Sequence, residues 1–270
     1  MPELPEVETI AQGVHERTHG QTVVAVWTGN KPQTFKSSPD SIVETLTRAR
    51  IERVHRVGKT IVVDLSRGRQ SAQFLVHLGM TGRLLVSTPE TPVPNHTHAI
   101  LTLSGGRELR FVDARRFGRL SVTLPGEAYT GPGVEPLTVP LDDFVALFRK
   151  RKTPIKAALL NQSLLHGVGN IYADEALFHA GVRPARHAGR LTRNELTRLR
   201  AALIQVLTKA IKLGGSSVSD YVDAEGVAGF FQLHHMVYSR TGEPCRVCKT
   251  PIRRIVIAGR GTHFCPVCQR

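Results

Sequence analysis

LLHGVGNIYADEALF, residues 164–178, decides how the second half of this chain is read. Gly167 and Gly169 let the backbone come close to a ligand. A helix starts near Asn170, so its free N–H groups and positive dipole end point at whatever sits there, and phosphate is the natural guest. An ordinary turn between two helices would need no ligand. Just upstream, however, RKRKTPIK at 149–156 places five bases within eight residues, and beside that run phosphate binding is the better reading.

Outward from this stretch, helical periodicity dominates. LDDFVALFRKR (141–151) opens with capping aspartates and ends in bases, and TPIKAALLNQ (153–162) follows. A longer helix runs through 192–215, with Thr192 as cap, Glu195 in capping-box position and Gly214 as stop. GGSSVSDYVDAEGVAGFF, 214–231, is rich in Gly and Ser and reads as a mobile loop. Beyond it, Cys245-x2-Cys248 and Cys265-x2-Cys268 stand 16 residues apart. That spacing is the framework of one tetrahedral structural zinc held by four thiolates. His263 is a conceivable substitute ligand, but four sulfurs already fill the shell. So short a segment has little core, and metal binding would supply much of its folding energy. A hairpin stapled in this way would present some of Arg253, Arg254 and Arg260 to phosphate.

Toward the N-terminus the pattern changes. TVVAVW, TIVVDL, QFLVHLG, GRLLV, HAILTL, ELRFVD and RLSVTL follow one another between 22 and 124 with no helix between them, which predicts an antiparallel sandwich or barrel. The Pro/Gly-rich stretch 124–140 reads as a linker. FVDARRFGRL (111–120) sets paired arginines before a phenylalanine, and HLGMTG (77–82) puts a methionine at a turn. An apolar wedge with an arginine can enter a duplex and occupy the space of an extruded base. For Met80 and Phe117, composition alone favours core packing.

The chain carries 36 Lys+Arg against 22 Asp+Glu, a net charge of +14, which points to a polyanionic partner. No apolar run approaches the roughly 20 residues that span a bilayer, and the acidic start is neither a secretory signal nor a transit peptide. The expected location is the cytoplasm. Against this background the opening MPELPEVETI holds three glutamates and no base. Pro5 at a first helical position and Glu6 and Glu8 in a first turn explain part of it, and for Glu8 starting a helix is the better account. Pro2 and Glu3 precede the helix. Initiator methionine is commonly removed when residue 2 is small, which leaves Pro2 with a free secondary amine. An α-amine has a pKa near ~8 against ~10.4 for lysine, so much more of it is neutral and able to attack an anomeric carbon. Glu3 could protonate the ring oxygen, and Lys59 could deliver another proton or contact phosphate.

Taken together, PELPEVET, GVGNIYADE and EPCRVC…GRGTHFCPVCQ resemble the bacterial formamidopyrimidine-DNA glycosylase family, in order and over essentially the whole chain. The resemblance implies an α+β fold: an N-terminal β-sandwich with an N-terminal helix, then a helix–two-turns–helix domain and a zinc-finger β-hairpin, with DNA in the cleft. It implies a bifunctional enzyme that excises oxidised purines from double-stranded DNA and cuts the abasic site by β,δ-elimination. Pro2 matches the Schiff-base nucleophile, Glu3 the proton donor and acceptor with Glu6 in support, Lys59 the lysine that assists β-elimination, and Arg260 the position of δ-elimination and phosphate grip. His96, Arg115, Arg151, Lys156 and Asn170 match DNA-contacting positions. Met80, Arg115 and Phe117 match the trio that fills the gap left by the flipped base, and the loop from Ser217 to Gly229 matches the lid. Ala114 stands where the family usually has proline.

The expected domains are a catalytic sandwich at 1–125, a linker at 126–140, a helical DNA-binding domain at 141–234 with the lid loop 214–231, and a zinc finger at 235–270, in a monomer without membrane attachment. Two rivals remain. An endonuclease VIII-like enzyme would remove oxidised pyrimidines, although Leu4 and the intact ARRFG favour the purine branch. A non-catalytic zinc-ribbon DNA-binding protein would need neither Pro2 nor Glu3.

Overall fold

A computed structural model describes residues 1–217 and 222–270. The chain divides into two compact units, Met1–Thr130 with Gly214–Phe230, and Gly131–Leu213 with Phe231–Arg270. The described residues of the stretch 214–230, read from sequence with the helical domain, fall in the first unit.

The first unit is built on two four-stranded antiparallel sheets. One has the order β1 (Val23–Thr28), β6 (Thr97–Leu103), β7 (Glu108–Val112), β5 (Arg83–Ser87). The other runs β2 (Arg50–Val57), β3 (Thr60–Arg67), β4 (Gln70–His77), β8 (Arg119–Val122). β3 alternates Ile61, Val63 and Leu65 into a core shared with Leu84, Leu101, Leu109 and Phe111 of the other sheet, as β-branched and apolar residues at period 2 require. The helix α1 (Leu4–Thr18) adds Val7, Ile10, Ala11 and Val14 to the same core. Gly58 at φ 62° begins the two-residue turn between β2 and β3, where a primed turn needs a residue free to adopt positive φ.

A reading of 21–124 as strands alone omits α2 (Pro39–Leu46). Its signal is local: Ser38 accepts the Ser41 N–H at 3.1 Å, Pro39 stands at N1, and Ile42 and Leu46 bury one side at i, i+4.

The second unit holds α3 (Leu141–Phe148), α4 (Ile155–Leu160), α5 (Asn170–Ala180) and α6 (Arg193–Lys212), then the hairpin β9 (Arg253–Ile257) and β10 (Arg260–Phe264). Thr192 and Glu195 form the expected capping box of α6. Both guanidinium nitrogens of Arg186 reach Glu195, and this holds the Glu195 carboxyl down at about 2. No helix among the described residues is long and apolar enough to cross a membrane.

His235 lies at 4% exposure between the rings of Phe231 and Tyr238, each 5.5 Å away, and burial pushes its pKa down to about 4. The sign follows from linkage. The native ring is neutral while the unfolded ring titrates near 6.5, so its contribution is complete above 6.5 and is lost as pH falls toward 4. Glu195 behaves likewise between 4.5 and about 2. In urea melts, the stability of His235→Phe relative to the parent should rise by a few kcal/mol from pH 7 to pH 4.5. A difference independent of pH would refute the assignment.

Candidate functional site

In the first unit the chemistry-bearing residues collect at the start of α1. Glu3 is its N-cap and Pro5 its second residue, one position later than the sequence suggests. Pro2, Glu3 and Glu6 are all buried, the carboxylates at 5% and 2% exposure. Glu6 Oε2 accepts the Glu3 N–H at 2.8 Å, and its Oε1 accepts the Ser216 N–H, also at 2.8 Å. A β-carbon on Gly215 would lie 2.8 Å from Glu6 Oε1, and Gly215 sits at φ 81°, so only glycine fits there. Glu6 thus ties the N-cap to the 214–217 segment.

That segment is fixed elsewhere too. Ser217 Oγ accepts the Gly229 N–H at 2.8 Å, and Ala224 joins the sandwich core at 2% exposure. The part of the lid at 218–221 lies outside the described residues.

Lys59 is half-buried in the β2–β3 turn. Arg56 orders this turn by donating to Glu8 Oε2 at 2.9 Å and to the Gly58 carbonyl at 3.1 Å. Glu8 is therefore no helix-starting acid: it lies past the first turn and joins α1 to the Lys59 turn. His77 Nδ1 lies 3.1 Å from the Lys59 carbonyl, and burial, aided by the neighbouring Lys59 charge, lowers its pKa.

A second cluster forms around Asp113, which is completely buried. Its Oδ1 accepts the Thr81 hydroxyl at 2.6 Å and the Arg115 N–H at 3.2 Å, and its Oδ2 accepts the Gly118 N–H at 2.7 Å. Its own N–H donates to the His96 carbonyl at 3.0 Å. At Gly79, φ 65°, an added β-carbon would stand 2.5 Å from the Phe117 carbonyl carbon, so the two loops meet backbone to backbone. The structure thus gathers Met80, His96, Arg115 and Phe117 around one carboxylate. Met80 and Phe117 are 42% and 47% exposed, against the core packing that composition favours. The Arg115 guanidinium lies 4.9 Å from the Phe117 ring centroid, a cation–π pair. Ala114 is exposed, and the loop is held by Asp113 without the proline.

In the second unit, Gly167 takes φ 89° and Gly169 caps α5. Arg151 and Arg260 are exposed, and Asn170 is half-buried with its Nδ2 donating to the Gly261 carbonyl at 3.1 Å. Lys156 departs from its expected place on a DNA-facing surface. It has no exposure, and its Nζ lies 2.9 Å from Gly261 O, 2.9 Å from Thr262 Oγ1 and 2.7 Å from Asp174 Oδ1. The spacing TPIK turns it inward on α4, and an internal carboxylate compensates its charge.

The Sγ atoms of Cys245, Cys248, Cys265 and Cys268 all lie within 4.8 Å of one another. Cys245–Cys268 and Cys248–Cys265 are 3.9 and 3.4 Å apart, close to the about 3.8 Å edge of a tetrahedron with Zn–S near 2.3 Å. The donor set fits one structural zinc. Hydrogen bonds from Thr250 bring the Cys248 thiol down to about 6, whereas burial raises Cys265 and Cys268. His263 is no ligand: its Nδ1 faces Asp174 Oδ2 at 3.1 Å.

Three buried carboxylates escape the sequence reading: Asp113, Asp174 and Glu175. Glu175 accepts the N–H groups of Met236, Val237 and Tyr238 at 2.8–3.0 Å, and burial raises its pKa against them. The available signal for the last two was a pair of acids inside an otherwise apolar helix.

Residues 1–120 match the formamidopyrimidine-DNA glycosylase N-terminal domain, 132–222 the formamidopyrimidine-DNA glycosylase H2TH domain, and 242–270 the zinc finger found in FPG and IleRS. The formamidopyrimidine-DNA glycosylase of Solibacter usitatus is 45% identical over 273 residues, covering all of both chains. The structure of MutM (FPG) from Thermus thermophilus is similar at TM-score 0.87 and 42% identity, covering 99% of this chain and 98% of that one. A mutant Lactococcus lactis FPG in complex with Fapy-dG containing DNA is similar at TM-score 0.90 and 33% identity, with both chains covered completely.

Proposed function

Because this chain belongs to the formamidopyrimidine-DNA glycosylase family, we propose that it is a bifunctional base-excision repair enzyme, acting as glycosylase and abasic-site lyase on oxidised purines in duplex DNA. The observation that carries the reading is the buried start of α1, where Pro2, Glu3 and Glu6 occur together. With Met1 removed, the Pro2 nitrogen attacks C1′ of the extruded nucleotide. A bond forms between nitrogen and C1′, the bond from C1′ to the base breaks, and the base leaves with a proton. Glu3 protonates O4′ as the sugar ring opens, and loss of the proline N–H proton yields the iminium. The iminium acidifies C2′. Loss of a C2′ proton expels the 3′ phosphate, assisted by Lys59. A second elimination, assisted by Arg260, releases the 5′ phosphate.

Arg115, Met80 and Phe117 occupy the gap in the duplex. His96, Arg151 and Asn170 bind phosphate, the lid covers the extruded base, and zinc supplies the fold of the hairpin. The enzyme acts as a monomer in the cytoplasm on nucleoid DNA, with working domains at 1–125, 141–234 and 235–270 joined by the linker 126–140.

The test is cleavage of duplexes carrying 8-oxoguanine opposite cytosine or adenine, with thymine glycol as rival lesion. Cytosine opposite 8-oxoguanine should be the better context. A guanidinium offers only donors, which suits cytosine's acceptors better than adenine's amino donor. Arg115→Ala should narrow that preference by about 1–3 kcal/mol. Much faster cutting of thymine glycol would favour an endonuclease VIII-like enzyme, and absence of any covalent adduct on abasic DNA a non-catalytic zinc-ribbon protein.

A further inference from the structure

We propose that Asp174, paired with Lys156, is a positioning residue that indexes Arg260 to the N-terminus of α5. The inference rests on the reading of Arg260 given above. Asn170 and Asp174 are four residues apart on α5 and face the same way, separated by about 6 Å of rise. Gly261 and His263 are two residues apart on β10, separated by about 6.6 Å. The spacings match, and the bonds are made in step. Asn170 Nδ2 donates to the Gly261 carbonyl at 3.1 Å, and Asp174 Oδ2 accepts the His263 N–H at 2.8 Å.

Lys156 of α4 closes the clamp. It bridges Asp174 Oδ1 to the same Gly261 carbonyl, at 2.7 and 2.9 Å. Asp174, Lys156 and Thr262 are wholly buried, while Arg260, one residue before Gly261, is exposed. A strand held at two points two residues apart cannot slide along the helix, because a one-residue slip would break both bonds. Arg260 is therefore held at a fixed offset from the Gly169–Asn170 turn. Four-cysteine zinc binding does not set this offset, since the clamp lies on the strand ahead of Cys265.

The test is Asp174→Asn, which keeps an acceptor for His263 but turns an amide toward the Lys156 ammonium. Single-turnover cutting of abasic duplex is resolved into first- and second-elimination products, alongside borohydride trapping and zinc content. The expected result is normal trapping and one zinc per chain, with the second elimination slowed between about tenfold and a hundredfold, as a slightly displaced group would cause. In an Arg260→Ala background the same change should have no further effect on the product ratio. An unchanged ratio in Asp174→Asn, or an equal effect in the Arg260→Ala background, overturns the proposal. If Asp174→Asn loses zinc, Asp174→Asn with Lys156→Met removes the uncompensated buried charge, and its product ratio is read instead. Zinc loss in both variants would make the pair purely structural. Parent protein that gives no borohydride adduct would sink the reading of the reaction, and this proposal with it. Parent protein with an adduct and both eliminations isolates the clamp.

Discussion

Protein that keeps Met1, or carries one added residue ahead of Pro2, is expected to give no borohydride cross-link to abasic DNA and no strand cutting. Either change turns the attacking nitrogen into an amide, which has no basic lone pair. The alternative amine in the proposed reaction is Lys59, and its ammonium is a poor substitute. With pKa values near 8 and 10.4, an α-amine is about two hundredfold more often neutral than a lysine near pH 7.5. The turn that carries Lys59 is also fixed by Arg56 and Glu8, which leaves it little freedom to relocate. Pro2→Gly, processed to a free α-amine, should retain trapping at a reduced level, because the nucleophile survives without its ring. Full cross-linking by the blocked protein would move the nucleophile off the N-terminus. Intact cross-linking by the blocked form with loss in Lys59→Met would identify the lysine instead.

What could be read in advance was what acts over short chain distances. The two CxxC pairs declare a metal because ligand spacing within one hairpin is nearly the geometry itself. That Pro2 and Glu3 stand apart from the basic surface was legible because a proline-stiffened acidic start has no role in a phosphate grip, and both are buried. The strands of the sandwich were legible from their period, but α2 was hidden among them because an eight-residue helix leaves only a cap and one i, i+4 pair. The partners of the buried Asp113 and Lys156 were not legible. Asp113 meets Thr81 across 32 residues, and Lys156 meets Gly261 across 105. No periodicity announces a partner so distant, and a lysine in a basic run is read by default as exposed. The same default placed Met80 and Phe117 in the core, where apolar residues usually belong. It takes the backbone contact at Gly79 to show that their loops are pressed together at the surface.

Cys265→Ser should release the metal, unfold the hairpin and weaken duplex binding by orders of magnitude, while the sandwich of the first unit keeps its melting behaviour. The core around the hairpin is small: Phe178, Val237, Cys245, Ile252 and Cys265 are its buried members, and two of the five are the ligands themselves. Apolar burial at about 1.5–3 kcal/mol per large side chain leaves little to set against the entropy of ordering the segment. Zinc bound to four thiolates supplies about 10–16 kcal/mol of apparent free energy in comparable small folds. Serine cannot stand in for thiolate as a soft ligand, and it would place an unsatisfied hydroxyl at a buried position whose N–H is bonded to Gln269 at 2.8 Å. With the hairpin lost, the His263 N–H leaves Asp174 and the Gly261 carbonyl leaves Lys156, so two buried charges lose partners together. The damage should therefore spread into α4 and α5 and reach Asn170, whereas the core of Ile61, Val63, Phe74 and Phe111 shares no residue with this network. Metal analysis, duplex binding and far-ultraviolet melts of the same preparation decide the matter. Metal-free protein that binds duplex as the parent does would show that the four cysteines serve something other than zinc.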